Sequence, residues 1–265
     1  MRVARIGCFC CLLFLFSLNS NSQQTPPVIQ RDPQAMSLLA QALNAAGGIS
    51  AVTSVQDFSA TGNITYFWAS EPVSGPATVR GSGMSNLRLD AQLPDGSRSW
   101  LTTDMQGAVK DADGTIKNIQ YANAVNLGSL IFPYIRIAVA LSEPSYSISM
   151  GGSTVVNGRS ALLIRVQQTF QIAADPTGDQ AKWNTKAFAI DPQSFAVLET
   201  IDTMWSEDGR MLPISHEVLF SNLVTTNGLK VPFSVVEKLG GQQTWSLQLS
   251  AITFNTGIAA STFQF

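Results

Sequence analysis

Residues 127–141 read LGSLIFPYIRIAVAL and carry a single charge, Arg136, in fifteen positions. Apolar side chains recur there at helical spacing, at positions 127, 130, 131, 134, 137, 138 and 141. Ile131, Ile135 and their neighbours make the other side apolar as well, so we expect a helix that is buried on most sides. The segment contains Pro133 and is shorter than the roughly 20 residues of a membrane-spanning helix. Three interpretations stay open: a core helix, a lid over a ligand cavity, and contact with a membrane.

Most of the chain after residue 55 alternates between apolar and polar residues, which predicts half-buried β-strands. The clearest segments are 58–68, 87–93, 162–167 and 245–250. Turn signals such as Asn157-Gly158 separate them, at a wider spacing than in small β-sandwiches. The pattern therefore predicts a mainly β fold with a few helices, built as one curled antiparallel meander. The apolar face of such a sheet must be covered, which places residues 127–141 inside its curve or across its mouth.

A second helix is predicted near the N-terminus. Asp32 has the side chain of an N-cap, and Pro33 suits the first helical position. Apolar residues then recur at positions 38, 39, 42, 43 and 46, before Gly47-Gly48 ends the pattern. We expect an amphipathic helix of about fourteen residues that packs on the domain by one side.

The first residues have the pattern of a secretory signal peptide. Arg2 and Arg5 precede the apolar run 6–18, and the polar residues 19–22 follow it. We expect cleavage near Ser22, a linker over residues 23–31 and a single domain over 32–265. The three cysteines all lie at positions 8–11. The mature chain would then have no thiol, and we expect a periplasmic or secreted protein whose core is its only source of stability.

Composition and motifs argue against several functions. The chain has a formal net charge of −2 and no basic run, so we expect no nucleic-acid binding. His216 is the only histidine, which excludes a multi-histidine metal site, and no G-x-S-x-G elbow is present. We therefore interpret His216 as a structural histidine and predict no enzymatic activity, no metal and no cofactor. The sequence does not reveal which of the carboxylates at positions 90, 104, 199, 202 and 217 meet in space.

Large apolar side chains at alternate strand positions are candidates for the wall of an apolar cavity. These are Phe58, Tyr66, Trp68, Met84, Trp100, Phe188, Phe195 and Trp205, to which the apolar segment adds Ile131, Tyr134 and Ile135. Each could equally belong to an ordinary core. The C-terminal residues STFQF are also typical of the last strand of an outer-membrane barrel, which leaves a small closed barrel as a third possibility.

Several motifs, taken in order, resemble a known family. They are AAGG at 45–48, FSATGNI at 58–64, NLRLDAQLPDG at 86–96, VVNGRSALLIRV at 155–166, AFAIDPQSFAVLET at 187–200 and the closing hairpins at 221–258. Their order resembles the periplasmic lipoprotein-carrier superfamily, which includes LolA, LolB and the sensor domain of RseB. The resemblance covers about residues 32–265.

The resemblance implies an unclosed antiparallel β-barrel, a half-barrel covered by the N-terminal helix and the internal apolar helix. It implies an apolar cavity that holds acyl chains, and Arg88 in NLRLD best matches the arginine that latches the lid in that family. We therefore expect a monomer that binds a lipid, an acyl chain or a lipoprotein, with transient contact to a membrane or a partner protein. The alternative is a sensor or adaptor of the same fold whose core is filled by its own side chains.

Overall fold

The computed structural model describes residues 28–68, 71–103 and 106–265. The predicted signal peptide, most of the predicted linker and Asp104 lie outside these residues. Within them the chain forms one antiparallel sheet of thirteen strands. The strands are β1 (Asp57–Tyr66), β2 (Val73–Ser82), β3 (Asn86–Leu93), β4 (Gly96–Thr103), β5 (Gln106–Lys110), β6 (Ile116–Ile119), β7 (Tyr146–Val156), β8 (Arg159–Gln168), β9 (Thr185–Ile190), β10 (Val197–Trp205), β11 (Pro213–Thr226), β12 (Leu229–Leu239) and β13 (Gln242–Phe254).

The chain enters the sheet at its centre. Its order is β6-β5-β4-β3-β2-β1-β13-β12-β11-β10-β9-β8-β7. Sequential hairpins lead from β1 to the edge strand β6, and a second series of hairpins leads from the other edge, β7, back to β13. The edge strands β6 and β7 do not pair with each other, so the sheet is unclosed. The predicted mainly β half-barrel is confirmed, and the small closed barrel suggested by STFQF is wrong, because residues 260–263 form a 3₁₀ turn instead of a strand.

Five helices accompany the sheet in the described ranges. They are α1 (Pro33–Ala45), α2 (Ile49–Thr53), α3 (Tyr121–Ala124), α4 (Tyr134–Ser142) and α5 (Asp179–Trp183). The predicted start of α1 is confirmed, since Oδ1 of Asp32 accepts a hydrogen bond of 2.9 Å from the backbone N–H of Ala35. Gly47 and Gly48, both at positive φ, follow the helix as predicted. No helix in the described part of the chain is long and apolar enough to cross a membrane.

Residues 120–145, which we name the crossover segment, explain why a β protein contains an apolar stretch. They connect edge strand β6 to edge strand β7 and therefore have to pass across the sheet. We call the side that they cover the inner face. Leu130, Ile131 and Ile137 are almost completely buried there, beside the apolar side of α1. Each such side chain contributes about 1.5–3 kcal/mol by its removal from water.

The crossover segment is not the continuous helix that the spacing predicted over residues 127–141. Within residues 127–141 the helix begins only at Tyr134, directly after Pro133. A residue that precedes proline is disfavoured in helical conformation, so Phe132 breaks the pattern. Gly128 adds a second reason: it lies against the backbone of Met84 and Ser85, where a Cβ would collide. Close packing there favours an irregular backbone.

The predicted linker ends earlier than expected, because Arg31 belongs to the folded domain. It forms a parallel β-bridge with Ile148, and the Ile148 N–H donates to the Gln30 carbonyl at 2.6 Å. The Arg31 guanidinium donates to four backbone carbonyls at the end of α4 and the start of β7, those of residues 140, 141, 143 and 146, at 2.8–3.2 Å. A cation at this position also complements the negative end of the helix.

Candidate functional site

An apolar pocket of about 210 Å³ lies on the inner face, between the crossover segment and the two halves of the sheet. Its lining comes from Tyr66, Trp68, Arg98, Ser99, Trp100, Val109, Asp111, Ile119, Leu127, Met204, Glu237 and Trp245. We call it the aromatic pocket. Side chains from β4 and β10 share it although six strands separate them in the sheet order, so the sheet is strongly curled.

Aromatic rings and one guanidinium form the rim of the aromatic pocket. The rings of Tyr66 and Trp68 are stacked with their centroids 4.0 Å apart. The guanidinium of Arg98 lies 5.1 Å from the Trp68 ring centroid and donates two hydrogen bonds of 2.8 Å to Asp95. Trp68 is 56% exposed, so this stack borders the opening to solvent. The rim therefore has a fixed cation whose charge Asp95 already neutralises.

One buried carboxylate of the lining, that of Glu237, connects the pocket to a buried row of charged residues. Glu237 directly opposes Trp245 across β12 and β13. Its Oε1 lies 3.2 Å from Nε2 of His216, and its Oε2 accepts from the Thr244 hydroxyl. The Nδ1 of His216 lies 2.7 Å from Oδ1 of Asp202, and Lys186 Nζ lies 2.7 Å from Asp202 Oδ2. We call Lys186, Asp202, His216 and Glu237 the charged row.

The protonation of the charged row follows from its surroundings. Burial opposes a charge on His216, but Asp202 and Glu237 outweigh burial and raise the pKa of the imidazole to about 9. Burial likewise opposes ionisation of Asp202, yet His216 and Lys186 hold the pKa of that carboxyl far below its usual range. Both ring nitrogens of His216 are therefore occupied by carboxylates, and the imidazolium bridges two strands on either side of its own.

The predicted structural role of His216 agrees with this arrangement. Glu217, the next residue in the chain, and Glu199 lie on the outer face and not beside His216. Glu199 is buried there beside Glu217, and burial followed by this like charge raises the pKa of Glu199 to about 7. Strand alternation explains the difference, because residues 216 and 217 face opposite sides of the sheet.

Of the predicted cavity residues, only Tyr66, Trp68 and Trp100 line the aromatic pocket. Four others are buried among core side chains: Phe58, Ile131, Tyr134 and Phe188. Ile135 and Phe195 are half-buried against the same core, and Met84 lies in the hairpin between β2 and β3. Trp205 is buried with its ring 4.3 Å from Lys182 Nζ. The structure therefore brings three of the eleven candidates into one pocket, and the other eight lie in the core, against it or in a hairpin.

The predicted lid latch, Arg88, contacts a different segment. Its Nη1 donates to the carbonyls of Thr262 and Gln264 at 3.0 Å, and its Nε donates to Asp90. The Phe265 ring lies 5.4 Å from its guanidinium. Arg88 therefore fastens the C-terminal tail to the outer face, and the prediction that it holds residues 127–141 is wrong. Arg88 faces outward because side chains alternate along a strand and its neighbours Leu87 and Leu89 face the core.

Polar anchors hold the crossover segment to the C-terminal half of the sheet. The Asn123 amide group accepts from the Trp205 N–H at 2.7 Å and donates to the Trp205 carbonyl at 3.0 Å. Three more bonds follow: Asn126 to the carbonyl of residue 183, Lys186 to the carbonyl of residue 126, and Arg136 to the carbonyl of residue 184, at 2.7–3.0 Å. Arg31 completes the set, so the arginine that caps α4 is one that the sequence analysis had placed in the linker.

Nine of the lining residues were not predicted as cavity residues, among them Leu127, Met204, Glu237 and Trp245. The sequence could have indicated Trp245, because this residue belongs to a strand in which apolar and polar residues alternate. The others have no local mark, because only the curl of the sheet brings β10, β12 and the crossover segment together.

Comparisons with known proteins rest on the fold. No family model matches the sequence, and no curated protein matches it. Solved structures do. A domain assigned to an outer membrane lipoprotein-sorting protein of Vibrio parahaemolyticus superposes with a TM-score of 0.53 at 12% identity, covering 87% of this chain and 96% of that one. A LolA superfamily protein of Nitrosomonas europaea gives a TM-score of 0.52 at 10% identity, covering 87% and 97%.

The chain has the fold of the LolA superfamily. A DUF1329 family protein of Desulfovibrio piger shares this LolA-like fold, with a TM-score of 0.52 at 10% identity and coverage of 88% and 98%. The similarity spans nearly the whole length of each of these proteins, so it concerns the complete half-barrel and not a shared hairpin. The resemblance predicted from the order of motifs is confirmed at the level of the fold.

Proposed function

We propose that this LolA-like protein is exported and binds a lipid or acyl chain in the aromatic pocket. The pocket is the observation that carries the proposal: apolar and aromatic side chains converge under a crossover segment at the open end of a curled sheet. Concave, mostly apolar sites with a few polar groups are the usual form of small-molecule sites. The likeness to a lipoprotein-sorting domain and to a LolA superfamily protein supports the same kind of ligand.

The size of the pocket limits what it holds without rearrangement. Its 210 Å³ exceed the roughly 150 Å³ of a cavity that takes up benzene, but fall short of the about 300 Å³ at the lower end of ordinary ligand sites. We infer that it accepts a segment of a single chain, with the remainder along the opening. Each methylene buried there contributes about 0.8 kcal/mol, so affinity should grow with chain length until the pocket is full.

The test uses residues 23–265 purified without detergent and a series of monoacylglycerols of increasing chain length, titrated by calorimetry. Val109→Trp fills the pocket with a ring and should abolish binding, whereas Val155→Trp is the matched control, because Val155 is an exposed strand valine. Affinity that rises with chain length and disappears only in Val109→Trp supports the proposal. No binding to the unmodified protein, or equal binding by both variants, contradicts it.

A second function is favoured by the filling of the remaining inner face. Leu39, Leu43, Ile137 and Phe188 are completely buried, and α1 and α4 pack on each other and on edge strand β7. A protein with so full a core can act as a sensor or adaptor that uses a protein partner. Native mass spectrometry separates the two functions. Adducts of lipid mass that organic extraction removes favour lipid binding, and a bare chain mass from soluble monomer favours the partner-binding function.

A further inference from the structure

We infer that the ligand of the aromatic pocket is a cationic amphiphile, an alkyl or acyl chain that ends in an ammonium group. This inference rests on the proposed function, because it assumes that an apolar chain occupies the pocket. The inference concerns the charge of the ligand's polar end group, which the aromatic rings and carboxylates of the pocket can select.

Aromatic rings are concentrated in this one pocket. Trp68, Trp100 and Trp245, three of the five tryptophans of the chain, line it together with Tyr66. Ring faces carry a negative quadrupole and attract ammonium groups, and sets of such rings are the usual recognition site for alkylated ammonium ligands. A purely apolar chain needs no such concentration of tryptophan, since aliphatic side chains would bury it equally well.

The ionised groups that line the pocket favour a cation as well. Asp111 and Glu237 contribute carboxylates to the wall, and Arg98 is the only basic residue among the lining residues in the described part of the chain. Arg98 is already engaged, with both Nη atoms on Asp95 and its plane over Trp68. Lys117 and His216, which pair with the two wall carboxylates, are not among the lining residues, and Arg98 also interacts electrostatically with Asp111. An anionic end group would therefore meet two carboxylates and a single guanidinium that is already bound to Asp95.

The stack of Arg98 on Trp68 shows how the rim accommodates a positive charge. The guanidinium lies 5.1 Å from the ring centroid, within the distance at which cation–π attraction acts. Tyr66 stacks on Trp68 and Arg98 lies over the same ring, so Trp68 is already engaged and a ligand ammonium would use Trp100 and Trp245. Glu237, which opposes Trp245 across two strands, lies beside this second position.

The experiment compares three amphiphiles with the same dodecyl or dodecanoyl chain: dodecyltrimethylammonium, dodecyl maltoside and dodecanoate. Calorimetric titration of residues 23–265 below the critical micelle concentrations measures each affinity. We expect the ammonium compound to bind about tenfold more tightly than dodecanoate, with the maltoside between them. Binding of dodecanoate that equals or exceeds that of the ammonium compound overturns the inference and leaves the proposed function intact. Failure of all three to bind contradicts the proposed function itself.

Two variants with matched controls assign the preference to this pocket. Asp111→Asn should lower the ratio of ammonium to dodecanoate affinity several-fold, whereas Asp113→Asn in the same exposed turn should leave it unchanged. Trp245→Leu should lower the ratio in the same way, with Trp183→Leu as the control outside the pocket. A ratio that neither Asp111→Asn nor Trp245→Leu changes overturns the assignment of the cation to these residues.

Discussion

The Nδ1 atom of His216 lies 2.7 Å from Oδ1 of Asp202, directly across the paired strands β11 and β10, and both side chains are almost completely buried. The charge on this imidazole is held from both sides, since Nε2 faces Glu237. With Lys186 on the other oxygen of Asp202, opposite charges alternate across four neighbouring strands. The charged row therefore links four strands of the C-terminal half of the sheet through buried ion pairs.

Removal of the imidazole should destabilise the fold strongly. His216→Leu removes the cation between the buried carboxylates of Asp202 and Glu237, and loss of one partner of a buried ion pair costs about 3–5 kcal/mol. Urea denaturation should report that loss in the free energy of unfolding. The exposed neighbour Ser215 is the control, and Ser215→Ala should lose under about 1 kcal/mol. A small effect of His216→Leu would show that the carboxylates do not depend on the histidine.

Alkaline pH should weaken the protein through the same residue. The pKa of His216 is raised from 6.5 to about 9, so its contribution is fully present below pH 6.5 and is lost as pH rises through about 9. We expect the free energy of unfolding to fall between about pH 7 and 10, by no more than about 1.4 kcal/mol per pH unit. NMR titration of the single imidazole measures the pKa directly. A histidine that titrates near 6.5 contradicts the arrangement of the charged row.

Ionisation of Glu199 should also lower the stability of the protein as pH rises. Here burial and a like charge raise the pKa, whereas ion pairs raise that of His216. Burial and the nearby Glu217 raise its pKa from 4.5 to about 7, so the folded state binds the extra proton between these values. Stability from this group is therefore highest below about pH 4.5 and is lost as pH rises through about 7. Glu199→Gln should stabilise the protein at pH 8 by about 1–3 kcal/mol and have little effect at pH 4. Thermal unfolding at both pH values measures this.

The control for Glu199 is Glu71→Gln, because Glu71 is an exposed carboxylate in the described part of the chain. Its difference from the unmodified protein should be small and independent of pH. Equal stabilisation at pH 4 and pH 8 in Glu199→Gln would attribute the effect to packing instead of to the proton.

Loss of the Arg31 guanidinium should loosen the crossover segment while the sheet remains intact. Arg31→Met removes hydrogen bonds to four carbonyls around the end of α4, a change worth about 1–3 kcal/mol. We expect faster amide hydrogen exchange over residues 134–146, measured by mass spectrometry, with little change in β12 and β13. Arg165→Met is the matched control, since Arg165 is an exposed strand arginine. Unchanged exchange in Arg31→Met would show that packing alone holds α4.

Local patterns were sufficient for much of the fold. The N-cap of Asp32, the paired glycines after α1 and the strict alternation of β1, β3, β8 and β13 are all read from neighbouring residues, because cap chemistry and side-chain direction depend on backbone geometry over a few positions. The apolar stretch at 127–141 indicated a segment that must be buried on both sides. The helix in the structure is shorter than the predicted one. Pro133 and the close contact of Gly128 with residues 84–85 prevent a helix over the first half of the stretch.

Alternation, turns and caps are local properties, so they were enough to predict a long antiparallel meander with an apolar crossover. Which side chains meet depends on how the strands are arranged in space. The pairing of β1 with β13 and the curl of the sheet bring Trp100, Met204 and Trp245 to one pocket, and place Arg88 on the tail and Arg31 on α4. These contacts join residues that are far apart in the chain. The partners come close only because thirteen strands form one curled sheet, so no local pattern predicts them.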